Sequence, residues 1–167
     1  MSGVSLVIGS TGLIGKKLIF ELAKKDSEVI AISRRSISNL PENVTLLNLN
    51  FDDFLDNGCV PSCDHIYICL GTTIKKAGSQ SEFKKVDFDY SVSFARKARE
   101  AGATKISLVS SVGANPYAKN FYLKIKGEVE EEIKKIDFQS INIFRPSLLL
   151  GHREEGRFLE KIGQNLS

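Results

Sequence analysis

Hydrophobic positions along this 167-residue chain form two alternating kinds of run. Short, nearly continuous apolar runs rich in Val and Ile occur at Val4–Ile8, Val29–Ser33, Val44–Leu49, Ile66–Leu70, Lys105–Val109 and Phe138–Phe144. Runs that do not alternate with polar residues suit strands covered on both faces, as in a parallel sheet. Between them, apolar residues recur at helical spacing. Leu13–Lys25 carries Ile14, Leu18, Ile19 and Leu22, and Glu82–Ala101 carries Phe83, Val86, Tyr90, Phe94, Ala98 and Ala101. Asn120–Ile136 carries Phe121, Ile125, Val129, Ile133 and Ile136, while Gly71–Ser81 reads as a polar loop. This alternation predicts one α/β domain with a doubly wound, mostly parallel sheet. At roughly 25–30 residues per strand–helix unit, residues 1–150 hold the strands and crossovers. Residues 151–167 remain as a short extension.

Composition narrows the function classes. With 42% hydrophobic residues, 26% charged residues and a net charge of +3, the chain suffices for one buried core. The 23 Lys/Arg and 20 Asp/Glu are scattered, which is no nucleic-acid footprint. No run approaches the ~18 apolar residues of a membrane span. The start, Met1-Ser-Gly-Val4, lacks the charged and then apolar pattern of a signal peptide, so a soluble cytoplasmic protein is expected. Cys59, Cys63 and Cys69 have no metal-like spacing, and His65 and His152 lie in no ligand cluster, so no metal site is expected. Cys69, inside an apolar run, reads as a buried thiol. The acidic run pairs Glu130 with Lys134 and Glu131 with Lys135 at helical spacing, which predicts a solvated helix face.

Candidate chemistry begins where the first strand meets Gly9-Ser10-Thr11-Gly12-Leu13-Ile14-Gly15 and then a helix. This is the context a dinucleotide-binding turn needs. Gly9 permits the tight turn, Gly12 lets the backbone approach a diphosphate, and Gly15 lets the helix pack close to the strand. The helix N-terminus offers free N–H groups to the phosphates. A plain strand–helix turn that binds nothing is the competing explanation. The second strand ends in Arg34-Arg35, where an NAD-selective site has an acid. Two guanidiniums suit a 2′-phosphate, so NADP(H) is preferred over NAD(H), although surface arginines after a strand are common.

The fifth strand ends in Ser110-Ser111, and eleven residues beyond Ser111 come Tyr122 and Lys126, i and i+4 on one helix face. A phenol beside an ammonium can serve as a general acid/base, and a serine hydroxyl at the strand end can orient a carbonyl. Tyr-x-x-x-Lys alone arises by chance. After a glycine turn and a Ser-Ser strand end it carries weight.

Taken together, Gly9–Gly15, Cys69-Leu-Gly-Thr-Thr73, Val86-Asp-Phe-Asp-Tyr90, Ser110-Ser111, Tyr122–Glu130 and Phe144-Arg-Pro146 resemble the short-chain dehydrogenases/reductases. The resemblance is to atypical members of the Tat-interacting oxidoreductase subgroup, and it spans about Ser5 to Leu150. It implies NADP(H) in a Rossmann crevice and hydride transfer to or from a carbonyl or alcohol carbon. Tyr122 would donate the proton, Lys126 would hold the nicotinamide ribose, and Ser111, with Ser110 as the alternative, would polarise the carbonyl. Leu70, Gly71, Thr72 and Thr73 would line the cofactor, with Arg145-Pro146 closing over the nicotinamide side. Asn50 stands where family members often carry an adenine-binding Asp, next to Phe51. The resemblance also implies substrate-covering elements beyond Arg145-Pro146, so an abbreviated substrate half is expected in 151–167.

The leading expectation is an NADP(H)-dependent oxidoreductase acting on a small-molecule carbonyl or alcohol. The alternative is an NADPH-sensing regulatory protein with a protein partner and little or no turnover. A sugar-nucleotide epimerase or dehydratase is a third reading, disfavoured here because such relatives need a large C-terminal substrate domain. Lys75 and Lys76 read as solvated loop lysines, Asp87 as a structural hydrogen-bond acceptor, and 151–156 as a candidate mobile loop over the site. An oligomer formed through helices at a sheet edge is compatible with the pattern.

Overall fold

Six strands, β1 (Val4–Ile8), β2 (Glu28–Ser33), β3 (Val44–Asn48), β4 (His65–Ile68), β5 (Lys105–Val109) and β6 (Ser140–Phe144), form one sheet in the order β3-β2-β1-β4-β5-β6. Every neighbouring pair is parallel. The computed structural model describes residues 3–25 and 28–147. The expected extension 151–167 and the candidate loop within it lie outside those residues.

Both faces of the sheet are covered, which is why the strand runs lack polar alternation. On one face Leu6, Ile8, Ile32, Ile66 and Ile106 pack against α2 (Phe51–Asn57), α5 (Tyr90–Glu100) and α6 (Phe121–Lys134). There the Phe94 ring stacks on Phe54 at 3.9 Å and meets Phe51 edge-on at 5.0 Å. Each such pair contributes roughly 0.5–1.5 kcal/mol beyond its burial. On the other face Val7, Val29 and Ala31 pack against Ile19 and Leu22 of α1 (Leu13–Ala23).

Three local features depart from the sequence reading. Helix α2 was not anticipated: its seven residues are too few to show a period, and it starts at Asn50, whose side chain accepts from the Asp52 N–H at 3.0 Å. The expected polar loop contains the short α3 (Ile74–Ala77) and the start of α4 (Gln80–Lys84). The long helix expected from 82 is broken by a π turn, Lys85–Asp89, between α4 and α5. Val86 is half-buried, while Asp87, one helical turn from both Phe83 and Tyr90, faces the interior at 1% exposure. Such π turns recur at functional sites.

Candidate functional site

Strand order reverses between β1 and β4, and in open α/β sheets the crevice above the strand ends at such a point takes the ligand. The glycine turn sits there. Gly9 adopts φ +82, and a Cβ on it would lie 2.5 Å from the Cys69 carbonyl oxygen. A Cβ on Gly15 would lie 2.3 Å from the Gly9 carbonyl oxygen, so helix and turn touch backbone to backbone. Helix α1 has Gly12 at its N-cap, no side-chain cap and no acid in its first turn. By contrast α2, α3, α4 and α6 are capped by Asn50, Thr73, Ser79 and Asn120. The first-turn N–H groups of α1 are thus held by no capping side chain and suit an anion.

A cleft of about 360 Å³ opens at this point, lined by Gly9, Ser10, Thr11, Gly12, Arg34, Arg35, Phe51, Leu70, Gly71 and Thr72 from among the expected residues. Ile32, Ser33, Cys69, Lys76, Ala77, Glu82 and Val86 also line it. Leu13, Ile14, Gly15, Asn50, Thr73, Ser110, Tyr122, Lys126, Arg145 and Pro146 do not. Gly15 is packing, Thr73 caps α3, and the Asn50 side-chain oxygen expected at the adenine is spent on capping α2. Ser10 is turned inward, its hydroxyl donating to the Ile32 carbonyl at 2.8 Å. The Arg34 guanidinium lies 5.5 Å above the Phe51 ring, and the Arg35 N–H donates to the Ser33 hydroxyl. Beside them Asp52 is bound by Lys85 at 2.6 Å and by the Tyr90 hydroxyl at 2.5 Å, contacts that hold its carboxyl below the usual range. Burial, with Asp52 at its hydroxyl, pushes the Tyr90 phenol up to about 12. Burial also pushes the Cys69 thiol up to about 12, although this cysteine is only partly buried on the cleft wall and Cys63 is the buried one.

Helix α6 brings its candidates near the Gly71 edge of the cleft, although neither Tyr122 nor Lys126 lines it. Lys126 is 6% exposed, with its ammonium 2.6 Å from Asp87 Oδ1 and 5.9 Å from the Tyr122 ring centroid. The Asp87 pair is an ion contact without the alignment of a hydrogen bond, since Oδ1 has no aligned donor. Asp87 Oδ2 accepts from the Thr72 N–H at 3.0 Å. Burial raises the Asp87 carboxyl above its ordinary value, outweighing Lys126 and Thr72, which act in the opposite direction. Tyr122 packs on Phe83 at 5.5 Å between ring centroids. A Cβ at Gly71 would lie 3.7 Å from the Lys126 ammonium, so the cleft and the α6 face meet at Gly71 and Thr72.

The two serines part company. Ser110 is buried, and its hydroxyl donates to Glu130 Oε1 at 2.6 Å, while among the described residues the Ser111 hydroxyl meets the neighbouring Val112 carbonyl alone, at 3.3 Å. Glu130, 1% exposed, also receives Arg145 through Nε at 2.9 Å and through a second guanidinium nitrogen. Burial would raise the Glu130 carboxyl, but the Arg145 and Ser110 hydrogen bonds prevail and hold it low. Arg145, expected over the nicotinamide, is therefore committed to α6, and the Pro146 carbonyl accepts from the Val112 N–H. The expected Glu130–Lys134 and Glu131–Lys135 pairs are also corrected. Lys134 pairs with Glu131 and Lys135 with Glu132, because Glu130 faces inward on the side that carries Lys126 one turn earlier. A carboxylate four residues beyond Lys126 was the signal for Glu130, whereas Asp87, expected as a structural hydrogen-bond acceptor, does accept from the Thr72 N–H.

Among the described residues no cluster of His, Cys, Asp and Glu could hold a metal ion, and no helix is long and apolar enough to cross a membrane. The model of the NAD dependent epimerase/dehydratase family matches residues 5–151. Protein HTATIP2 of Rattus norvegicus is 35% identical over 157 residues, covering 90% of this chain and 64% of that protein. Protein FMP52, mitochondrial, of Eremothecium gossypii is 36% identical over 154 residues, covering 90% and 68%. Among solved structures, the human epimerase family protein SDR39U1 with NADPH superposes with a TM-score of 0.67 at 19% identity, over 98% of this chain and 58% of that one. A putative NAD-dependent epimerase/dehydratase from Bacillus halodurans gives 0.72 at 22%, over 91% and 73%. At such identities the structures speak to the fold. The chain spans 64% of the rat relative's length, so its end carries no argument against a substrate domain. The expected cytoplasmic location is overturned: fungal relatives at 33–36% identity are named mitochondrial, and composition does not encode a compartment. With its glycine turn at the switch point of an all-parallel sheet and a family match across nearly all of that sheet, the chain belongs to the NAD dependent epimerase/dehydratase family.

Proposed function

We propose that this protein is an NADP(H)-dependent oxidoreductase that moves a hydride to or from a small carbonyl or alcohol substrate. One observation carries the reading: the Lys126 ammonium, beside Tyr122 and fixed by buried Asp87, borders the cleft at Gly71. The residues present fit a dinucleotide, since the uncapped α1 N-terminus suits its diphosphate, and Arg34 and Arg35 suit a 2′-phosphate. The nicotinamide, when bound, supplies or accepts the hydride. Tyr122 gives the substrate oxygen its proton, or takes it in the reverse direction. Lys126 holds the nicotinamide ribose and stabilises negative charge developing on the phenol oxygen. Ser111, whose hydroxyl has no stronger partner than Val112, donates to the carbonyl, whereas Ser110 is spent on Glu130. Asp87 holds Lys126 in place and does not touch substrate.

The test is hydride transfer on a panel of aldehydes, ketones and quinones, with wild type beside Tyr122→Phe. Turnover that survives the substitution would remove the mechanism. NADPH bound tightly with no turnover on any substrate, together with a retrieved protein partner, would favour a cofactor-sensing regulator instead. Titration of NADPH and NADH against wild type and Arg34→Ala tests the cofactor preference. Equal affinities in the wild type would remove the phosphate role from the arginine pair.

A further inference from the structure

Among the described residues the cleft has three cations on its walls, of which Arg34 and Arg35 belong to the end of β2. The third, Lys76, comes from α3, on the opposite side of β1. Its backbone is fixed: the Lys76 N–H donates to the Thr73 hydroxyl at 3.1 Å, and the Ala77 N–H to the Thr73 carbonyl at 2.8 Å. Thr73 follows directly on Thr72, whose N–H is held by buried Asp87. So the segment leading into α3, which presents Lys76, is anchored at both Thr72 and Thr73. Lys75, its neighbour, is equally exposed and does not line the cleft.

In the order β2-β1-β4, the end of β1 and the N-terminus of α1 lie between the arginine wall and the Lys76 wall. An adenosine 2′-phosphate on Arg34 and Arg35 would leave the diphosphate over β1 and α1, on the side that Lys76 enters from. We propose that Lys76 is a diphosphate ligand of the bound dinucleotide, closing on it from the β4 side opposite the α1 N-terminus. This rests on the dinucleotide reading above and adds to it a division of labour, arginines for the 2′-phosphate and Lys76 for the diphosphate. Glu82 on the same wall keeps that side from being a general anion trap, so a contact rather than a diffuse field must supply the affinity.

The experiment is equilibrium titration of NADPH, NADH, ADP and 2′-AMP against wild type, Lys76→Met, Lys76→Arg, Lys75→Met and Arg34→Ala, with melting curves to confirm folding. Loss of one charge-assisted phosphate contact predicts that Lys76→Met weakens NADPH, NADH and ADP by a common factor of about ten and spares 2′-AMP. Lys76→Arg should retain most of the affinity, and Lys75→Met all of it, whereas Arg34→Ala should weaken NADPH and 2′-AMP alone. Unchanged affinities in Lys76→Met overturn the assignment, as does a loss confined to NADPH and 2′-AMP or an equal loss in Lys75→Met. A wild type that binds neither dinucleotide overturns the cofactor reading itself, and Lys76 falls with it.

Discussion

Asp87 and Lys126 form the ion pair on which the candidate site turns, and their side chains are 0% and 8% exposed. Removing one member of a buried pair leaves the other charged without compensation, at a cost of about 3–5 kcal/mol. Asp87→Ala should therefore cost that much, since it strands the Lys126 ammonium and also the Thr72 N–H. For a domain of this size it should lower Tm by roughly 10 °C or more. Lys126→Met should cost a similar amount, because the carboxylate then lies buried with only Thr72 as donor. The double variant should cost about 2–3 kcal/mol less than the sum, since neither charge is left alone. Urea unfolding of the four proteins, with m-values checked for constancy, measures this cycle. Additive losses would mean that the two side chains do not interact in solution, and Lys126 would then lose its anchor. Conversely, Asp87→Asn, which keeps an oxygen for the Thr72 N–H, should fold better than Asp87→Ala yet lose turnover if Lys126 is displaced.

Three further outcomes are expected. Burial lowers the His65 pKa to about 4 from an unfolded value of 6.5, with Lys105 adding to the effect, while the ring is stacked on Tyr67 and bonded to the Ser107 hydroxyl. The unfolded chain then binds the proton more readily, so this contribution is present above pH 6.5 and is lost as pH falls toward 4. Thermal melts at pH 7 and pH 5 should show wild type losing up to about 2 kcal/mol more than His65→Gln, and equal losses would contradict the assignment. Gly15→Ala forces a Cβ onto the Gly9 carbonyl oxygen, so it should destabilise by about 1–3 kcal/mol and weaken dinucleotide binding in the same titration. Glu130→Ala strands the Ser110 hydroxyl and unties Arg145, costing about 3 kcal/mol in denaturant melts, and Glu130→Gln should recover part of that through its bond to Ser110.

What the sequence determined by itself was periodic or local. Continuous Val/Ile runs signalled strands buried on both faces, and Lys105–Val109 was located to the residue. The Gly9–Gly15 turn was legible because backbone contact at Gly9 and Gly15 excludes any side chain, a demand that leaves its mark in residue type. That Tyr122 and Lys126 are neighbours on one helix was legible because four residues make about one helical turn. The tertiary structure decided whatever depends on a partner distant in the chain. Glu130 looked like a member of a solvated acidic face until α6 packed it against Ser110 and Arg145. Asp87 was legible as a structural hydrogen-bond acceptor, but its ion partner Lys126 lies on another helix and only packing brings the two together. The surroundings of Ser110 and Ser111 were of the same kind: only packing shows that the Ser110 hydroxyl meets Glu130 and the Ser111 hydroxyl does not. Lys76 read as one solvated loop lysine of two until the sheet order set its helix across the crevice from the arginines. Short-range geometry is encoded in spacing along the chain, whereas the partner of a buried charge is fixed only when separate elements pack.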